Sequence, residues 1–372
     1  MKTQNQKLAK NIVNYSLKIK SGEKVLIEAS VFARDLVMAL VKEIYNVQAY
    51  PFVHLQDAQI TRSILNGTSK EQSSLSAKYM LPVIEDMDAY IGISGGDNVY
   101  ELSDVDSEKM RTYSIHYSKP IHHDVRVTKT KWVILKYPTS GVSQLAGTST
   151  EKFEKFYYNV CNLNYQKMND AMTPLKELME RTDKVRITAP NTDLTFSIKG
   201  ISAIKCAGEM NIPDGEIYTA PVKNSVNGVI TYNVPTLYSG RRFENISLVF
   251  QEGKIVDASC SSGGNLFLNQ ILDTDEGARY VGEFAIGLNP YILEPMLDIL
   301  FDEKMCGSIH FTPGSCYNDA YNGNDSAVHW DLVLNQRREA GGGEIWFDDV
   351  LIRKDGLFVL DELKALNPKE LK

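Results

Sequence analysis

The 372-residue sequence lacks several features that would assign it to a particular class of protein. It has no run of about 18 or more apolar residues, so nothing in it predicts a membrane-spanning helix. Its first residues, MKTQNQKLAKNIVNYSL, lack the apolar core of a secretory signal and resemble an amphipathic helix instead. A formal net charge of -7 provides no basic surface for nucleic acid. We therefore expect neither a membrane protein nor a nucleic-acid-binding protein.

Cysteine is scarce as well. The five cysteines are Cys161, Cys206, Cys260, Cys306 and Cys316. Their odd number and the lack of CxxC spacing argue against a disulfide framework and against a zinc site built from thiolates. The reducing cytoplasm is the simplest location for such a chain.

The first half of the chain shows the pattern of an α/β domain. Apolar runs of strand length occur at 24–29, 50–55, 89–94 and 131–137, and helical spacing at 33–47 separates the first two. Strands that alternate with helices build mostly parallel sheets through right-handed crossovers. The chain is also too long for one ordinary core, which suggests two domains.

The pattern changes near Asp183. Residues 149–181 have helical spacing, with Ser149 or Thr150 as the cap and a break expected at Pro174. Beyond Asp183 the runs alternate like strands and are joined by hairpin-type turns. We predict an α/β domain at 1–183 and an antiparallel β, barrel-like domain at 184–372, with one helix at 292–301.

The C-terminal half also contains residues suited to metal binding. His310, Tyr317, His329 and Asp331 lie within one short stretch, 301–332. Alternation along a strand would place His329 and Asp331 on one face and turn Trp330 the other way. Nitrogen and carboxylate ligands suit Zn²⁺, Co²⁺ or Mn²⁺ rather than Ca²⁺.

Two acidic residues upstream are further candidates. Glu216 follows the turn Pro213-Asp214-Gly215, and Glu283 lies among glycines, where a backbone can expose a side chain. Each has a plain alternative, because a lone glutamate beside glycine is usually a solvated surface residue. His329 alone would equally suit a structural histidine, and Tyr317 would suit ordinary packing.

The motifs NIPDGEIYTAP, GEFAIG, HFTPGSCY and HWD occur in this order. In order and separation they resemble the M29 metallopeptidases, the aminopeptidase T and S family, over nearly the whole chain. The resemblance implies a cytoplasmic, homodimeric exopeptidase with two divalent ions. Carried over to this sequence, the family's metal ligands fall on Glu216, Glu283, His310, His329 and Asp331, and its active-site tyrosine falls on Tyr317. Glu303 resembles a further position near the metals, although its spacing to His310 is longer than in the family.

From these residues and this resemblance we predict a metal-dependent aminopeptidase. Two ions, Zn²⁺ or Co²⁺ or alternatively Mn²⁺, would activate a water that hydrolyses the first peptide bond of substrates with a free N-terminus. Glu216 is the expected bridging ligand, and Tyr317 is expected to stabilise the oxyanion. The metal residues lie in the second domain, so a covering or specificity role is expected for the first. The alternatives are a metal-binding assembly protein without turnover and another two-metal amidase or esterase.

Overall fold

The computed structural model describes residues 2–238 and 240–372. It divides into two compact units, the first comprising Met1–Asn162 with Gly208–Pro213 and the second Leu163–Ala207 with Asp214–Lys372. The division therefore falls before the helix that ends at Arg181, and not at Asp183. That helix packs on the segment Asp361–Leu366 of the second unit, which explains its grouping.

The helices of the described chain are mostly short. The α-helices are α1 (Lys2–Asn11), α2 (Arg34–Asn46), α3 (Ala58–Gly67), α4 (Lys70–Glu85), α5 (Ser107–Tyr113), α6 (Val127–Lys129), α7 (Ser140–Leu145), α8 (Thr150–Cys161), α9 (Tyr165–Arg181), α10 (Asn265–Leu272), α11 (Ile299–Asp302) and α12 (Pro368–Leu371). Two segments, Ile12–Ser16 and Ser114–Arg126, are π-helical. Short 3₁₀ turns occur at Val31–Ala33, Glu276–Arg279, Asn318–Ala320, Arg338–Ala340 and Asp361–Leu366.

The strands differ in length between the two units. They are β1 (Lys24–Ser30), β2 (Tyr50–Gln56), β3 (Ala89–Ser94), β4 (Lys131–Lys136), β5 (Lys184–Ala189), β6 (Thr192–Ser197), β7 (Ile204–Cys206), β8 (Asn211–Ile212), β9 (Glu216–Thr219), β10 (Asn227–Thr231), β11 (Thr236–Tyr238), β12 (Arg241–Phe243), β13 (Ser247–Gln251), β14 (Lys254–Ser259), β15 (Val281–Gly287), β16 (Ser308–Pro313), β17 (Val333–Asn335), β18 (Glu344–Phe347), β19 (Val350–Lys354) and β20 (Leu357–Phe358). The four strands predicted in the first half are β1 to β4.

The first unit contains the predicted parallel sheet. Its strand order is β2-β1-β3-β4-β8, and every neighbouring pair is parallel. The segment from β1 through α2 to β2 is the β-α-β unit expected from the sequence. The helix α4 and the π-helical segment Ser114–Arg126 pack on each other, and their residues share a core cluster with Leu26 and Tyr90 of the sheet.

The second unit is built from antiparallel sheets. One has eight strands in the order β14-β13-β10-β6-β5-β18-β19-β20, and another has five in the order β17-β16-β15-β9-β7. A two-stranded ribbon, β11-β12, accompanies them. Antiparallel architecture was predicted correctly, but in the described residues neither sheet closes into a barrel.

Aromatic packing joins the eight-stranded and five-stranded sheets. Phe196 of β6 lies with its ring centroid 5.0 Å from those of both Phe284 of β15 and Phe311 of β16. All three side chains are buried. Because neighbouring residues of a strand point to opposite faces, Glu283 and His310 face away from this core.

Two helix predictions were wrong at prolines. Pro174 lies inside a continuous α9. The break in the helical segment falls earlier, between α8 and α9. There the side chain of Asn164 accepts a hydrogen bond from the backbone N–H of Lys167 and caps α9. The helix predicted at 292–301 is reduced to α11. Pro295 interrupts the pattern, and the carboxylate of Asp302 accepts backbone hydrogen bonds from Met296 and Asp298 in place of helical ones.

Within the described residues, no helix combines the length and the apolar composition needed to cross a bilayer. The cysteines that the sequence analysis singled out are all free thiols.

Candidate metal centre

The candidate site lies on one face of the antiparallel five-stranded sheet, β17-β16-β15-β9-β7. Glu216 begins β9, Glu283 lies in β15, and His310 lies in β16, where it pairs with Ala285 of β15. All three side chains are buried. Strand alternation sends Phe284 and its neighbours into the core on one side of the sheet and these polar groups to the other. The sheet therefore brings together residues that are up to 94 positions apart in the sequence.

Glu283 is the centre of the cluster. Its Oε1 lies 3.1 Å from His310 Nε2, and its Oε2 lies 3.3 Å from His329 Nε2. The other nitrogen of each imidazole faces a backbone carbonyl: His310 Nδ1 is 3.2 Å from the oxygen of Glu303, and His329 Nδ1 is 2.8 Å from that of Ser315. A carbonyl oxygen can only accept a hydrogen bond, so both Nδ1 atoms are donors, and each Nε2 is available as a ligand.

The segment from His329 to Asp331 is not part of a strand and has only an isolated β-bridge from His329 to Gly314, but its side chains alternate as predicted. His329 Nε2 lies 3.3 Å from Asp331 Oδ1. Trp330 points the other way and packs on the rings of Tyr238 and Phe243, with centroids 4.7 and 5.2 Å distant. The hydroxyl of Thr312 donates a 2.7 Å hydrogen bond to Asp331 Oδ1 and so fixes the direction of this carboxylate.

A tight turn after α11 adds two more charged groups. Glu303 and Lys304 follow this short helix, and the Lys304 ammonium contacts a carboxylate oxygen of Glu303 and lies 3.3 Å from Glu216 Oε1. Gly287 allows the turn to come this close to the sheet. A Cβ at that position would lie 2.3 Å from the backbone oxygen of Met305.

Tyr317 borders the cluster and remains accessible. Its ring centroid is 4.8 Å from that of His329 and 5.5 Å from that of Tyr218. The residue is 47% exposed, whereas Glu216, Glu283 and His310 are buried. Partial burial and the carboxylates of Glu283 and Asp331 raise the pKa of the phenol, so it is a hydrogen-bond donor at neutral pH.

The donor set fits a divalent cation. Ligand atoms of Glu283, His310 and Asp331 lie within 4.8 Å of one another, close enough to surround one ion. Two buried atoms aimed into the cluster, Glu216 Oε2 and His329 Nε2, have no hydrogen-bond partner among the described residues. Unpaired buried polar atoms are costly in a folded protein, and coordination to an ion would satisfy both.

The electrostatics of the cluster favour positive charge. Burial lowers the pKa of His310, but the hydrogen bond and charge of Glu283 outweigh it and raise the pKa to about 10. For His329, burial is likewise outweighed, here by Asp331 and Glu283, and the pKa rises to about 11. The same carboxylates that favour protons on these imidazoles would favour a divalent cation among them.

A second group of ligand types adjoins the first. Ligand atoms of Cys206, Asp214 and Glu216 also lie within 4.8 Å of one another. Cys206 pairs with Glu216 across β7 and β9. Burial, reinforced by the neighbouring carboxylates, raises the pKa of the Cys206 thiol well above its usual value, so this group lacks a ready thiolate.

Every residue predicted from the sequence lies in or beside this cluster: Glu216, Glu283, Glu303, His310, Tyr317, His329 and Asp331. The structure adds Lys304 and Thr312, which the sequence analysis missed. The signal for Thr312 was available, because it is two residues from His310 on the same strand and therefore shares its face. No such pattern marks Lys304.

A protein-family model and several known relatives match most of this chain. The family model described as thermophilic metalloprotease (M29) matches residues 1–358. Aminopeptidase AmpS of Bacillus subtilis is 26% identical over 368 residues, which cover 88% of each chain. Aminopeptidase T of Thermus thermophilus is 24% identical over 378 residues, which cover 88% of this chain and 91% of the relative.

The fold has a counterpart among solved structures. The structure titled wild-type AmpT from Thermus thermophilus superimposes with a TM-score of 0.80 at 22% identity, and the match covers 96% of this chain and 100% of the other. This likeness shows that the fold is shared.

Proposed function

Because this chain belongs to the M29 family of metalloproteases, we propose that it is a metal-dependent aminopeptidase that removes single residues from the N-termini of peptides. The relatives reported above are named aminopeptidases. The observation that carries the proposal is the buried cluster around Glu283, in which two imidazoles and a second carboxylate converge within hydrogen-bonding or ion-pair distance.

Glu283, His310, His329 and Asp331 are the proposed ligands of a divalent ion, with Glu216 contributing its unpaired Oε2. Nitrogen and carboxylate oxygen ligands suit Zn²⁺, Co²⁺ or Mn²⁺. When bound, such an ion polarises the scissile carbonyl and lowers the pKa of water toward ~7. The presence of two ions remains a prediction of the family resemblance.

The protein's own groups have distinct roles in the proposed reaction. Backbone carbonyls hold His310 and His329 in the tautomer that presents Nε2 to the cluster, and Thr312 orients Asp331. The Tyr317 phenol is a partly exposed donor at the border of the cluster. Its proposed role is to donate a hydrogen bond to the carbonyl oxygen as negative charge develops there.

Substrates with a free amino group are proposed from the names of the relatives and from metal chemistry. The relatives reported above are named aminopeptidases. A free α-amino group has a reference pKa near ~8 and in its neutral form can ligate a metal ion, whereas an acetylated N-terminus has no such amine. A homodimer and a cytoplasmic location remain predictions of the family resemblance.

The proposal is tested with purified protein and leucine p-nitroanilide. Chelation should abolish release of p-nitroaniline, and added Zn²⁺, Co²⁺ or Mn²⁺ should restore it. His329→Ala should remove activity while circular dichroism stays unchanged, and His123→Ala, an exposed histidine of the other unit, serves as the matched control. Wild-type turnover in His329→Ala would reject the site.

A second substrate separates the alternatives. N-acetyl-leucine p-nitroanilide should not be hydrolysed by an aminopeptidase. Its hydrolysis at a comparable rate would identify a broader amidase or esterase instead. Metal binding without turnover of any free-amino substrate would identify a binding or assembly protein.

A further inference from the structure

Lys304 is an unusual residue for the place it occupies. Its side chain is 0% exposed, although lysine is almost never fully buried without a partner. Its partners are Glu303 and Glu216, the latter 3.3 Å away at Oε1. The ammonium therefore lies inside the candidate metal centre and forms ion pairs with two of its carboxylates, those of Glu216 and Glu303.

The ligand types of the centre fall into two groups. One is formed by Glu283, His310, His329 and Asp331, whose Nε2 and carboxylate atoms converge. The other holds Glu216 and Glu303 and is continuous with the group that includes Cys206 and Asp214. The histidines lie with the first group and the lysine with the second.

Glu216 connects the two groups through its separate oxygens. Its Oε1 accepts from the Lys304 ammonium, while its Oε2 is unpaired and lies 3.8 Å from His310 Nδ1. A carboxylate that bridges two metal ions also gives one oxygen to each. Here the Lys304 ammonium, a cation that belongs to the chain, already binds one of the two oxygens.

A divalent ion and the ammonium would compete for the second group. A metal ion would have to lie about 2.0–2.2 Å from a carboxylate oxygen. At Glu216 and Glu303, the Lys304 Nζ atom limits the space for such an ion. Two positive centres a few ångströms apart in a buried site also repel each other strongly. The fully buried lysine has no solvent into which it could withdraw.

We propose that the Lys304 ammonium is the second cation of this centre, so that each chain binds one divalent ion, held by Glu283, His310, His329 and Asp331, with Glu216 spanning from that ion to the lysine. The inference rests on the proposed metal binding and departs from the two ions that the resemblance implies. Lys304 is a positioning residue, because it is buried and holds Glu216 and Glu303 instead of touching substrate.

The number of bound ions tests the proposal. The full-length protein is stripped with chelator and titrated with Co²⁺, while calorimetry and the visible absorption of bound Co²⁺ are followed. Metal content after dialysis is measured by mass spectrometry. The wild type should saturate at one ion per chain. Saturation at two ions per chain would overturn the proposal.

Substitution of the lysine gives the complementary measurement. Lys304→Met keeps the length of the side chain but removes the charge, which frees Glu216 and Glu303 and should raise the capacity to two ions per chain. Lys304→Arg, which keeps the charge, should bind one, as should the control Lys354→Met, whose lysine pairs with Glu344 on the surface. A folded Lys304→Met protein that binds only one ion would contradict the assignment. If this variant does not fold, the wild-type capacity decides.

These results are independent of peptidase activity. One ion per chain without turnover of leucine p-nitroanilide would retain the second-cation assignment and reject the proposed function. Two ions per chain with turnover would do the reverse. Absence of binding would reject both.

Discussion

Thr312→Val is a sharp test of how the protein chain organises the metal centre. Thr312 is fully buried, and its hydroxyl donates to Asp331 Oδ1 over 2.7 Å. The same oxygen lies 3.3 Å from His329 Nε2. Valine has nearly the same shape as threonine, so the substitution removes this hydrogen bond without opening a cavity. The direction of the Asp331 carboxylate is then no longer fixed.

The expected magnitude follows from that one bond. Hydrogen bonds to charged groups are worth about 1.5–3 kcal/mol, equivalent to a factor of about 10 to 150. Loss of a partner that orients a metal ligand typically reduces metal affinity by about 10- to 100-fold. We therefore expect the dissociation constant for Zn²⁺ to rise by about 10- to 100-fold in Thr312→Val, with activity recovered at high Zn²⁺.

Calorimetric titration of the stripped protein measures this change, and Thr219→Val provides the matched control. Thr219 is a buried threonine of the adjacent strand β9, but it lies opposite Phe284 on the core face of the sheet. Its substitution should leave Zn²⁺ affinity unchanged. Equal affinities in Thr312→Val, the control and the wild type would refute the idea that Thr312 orients a metal ligand.

Two other substitutions probe the borders of the centre. Tyr317→Phe should lower kcat by about 100-fold, equivalent to about 2.7 kcal/mol, because the oxyanion loses a donor, while metal content stays the same; unchanged kinetics would remove the phenol from the reaction. Gly287→Ala should destabilise the protein in urea unfolding by about 1–3 kcal/mol, since the new Cβ meets the backbone oxygen of Met305 at 2.3 Å and displaces the turn that holds Lys304. An unaltered unfolding midpoint would show that the turn yields freely.

The architecture was largely predictable because apolar runs and alternation are local signals. The strands β1, β3 and β4 carry apolar runs whose residues are buried or partly buried, as expected for a parallel sheet. The strand β2 also has an apolar run, but it is an edge strand and most of its residues are exposed. The end of the first unit was harder to locate. The helix α9 has an amphipathic pattern that does not identify its packing partners, which in the structure are Asp361–Leu366 and β7 of the second unit.

The ligand types were recognised from the sequence, but their environment was not. Glu283 was considered because it lies among glycines, where a backbone can expose a side chain, yet it lies in β15, a strand in which every residue is buried. An acidic residue inside an otherwise apolar strand is itself a signal of a paired or metal-binding group, because an isolated buried carboxylate is too costly to keep.

Lys304 could not be identified from local pattern. In the stretch DEK a lysine normally extends into solvent, and its burial here follows from a turn that Gly287, 17 residues earlier, allows to approach the sheet. Which side of a turn a charged side chain takes depends on such distant contacts. The number of cations in the centre therefore became a question only when the tertiary structure was known.

The most direct test of the account is anomalous diffraction at the zinc edge from crystals grown with Zn²⁺. We predict a strong peak within about 2.2 Å of His310 Nε2, His329 Nε2 and oxygens of Glu283 and Asp331. A map with no peak among these side chains, or with peaks only at surface sites, would contradict the claim that they form a metal centre.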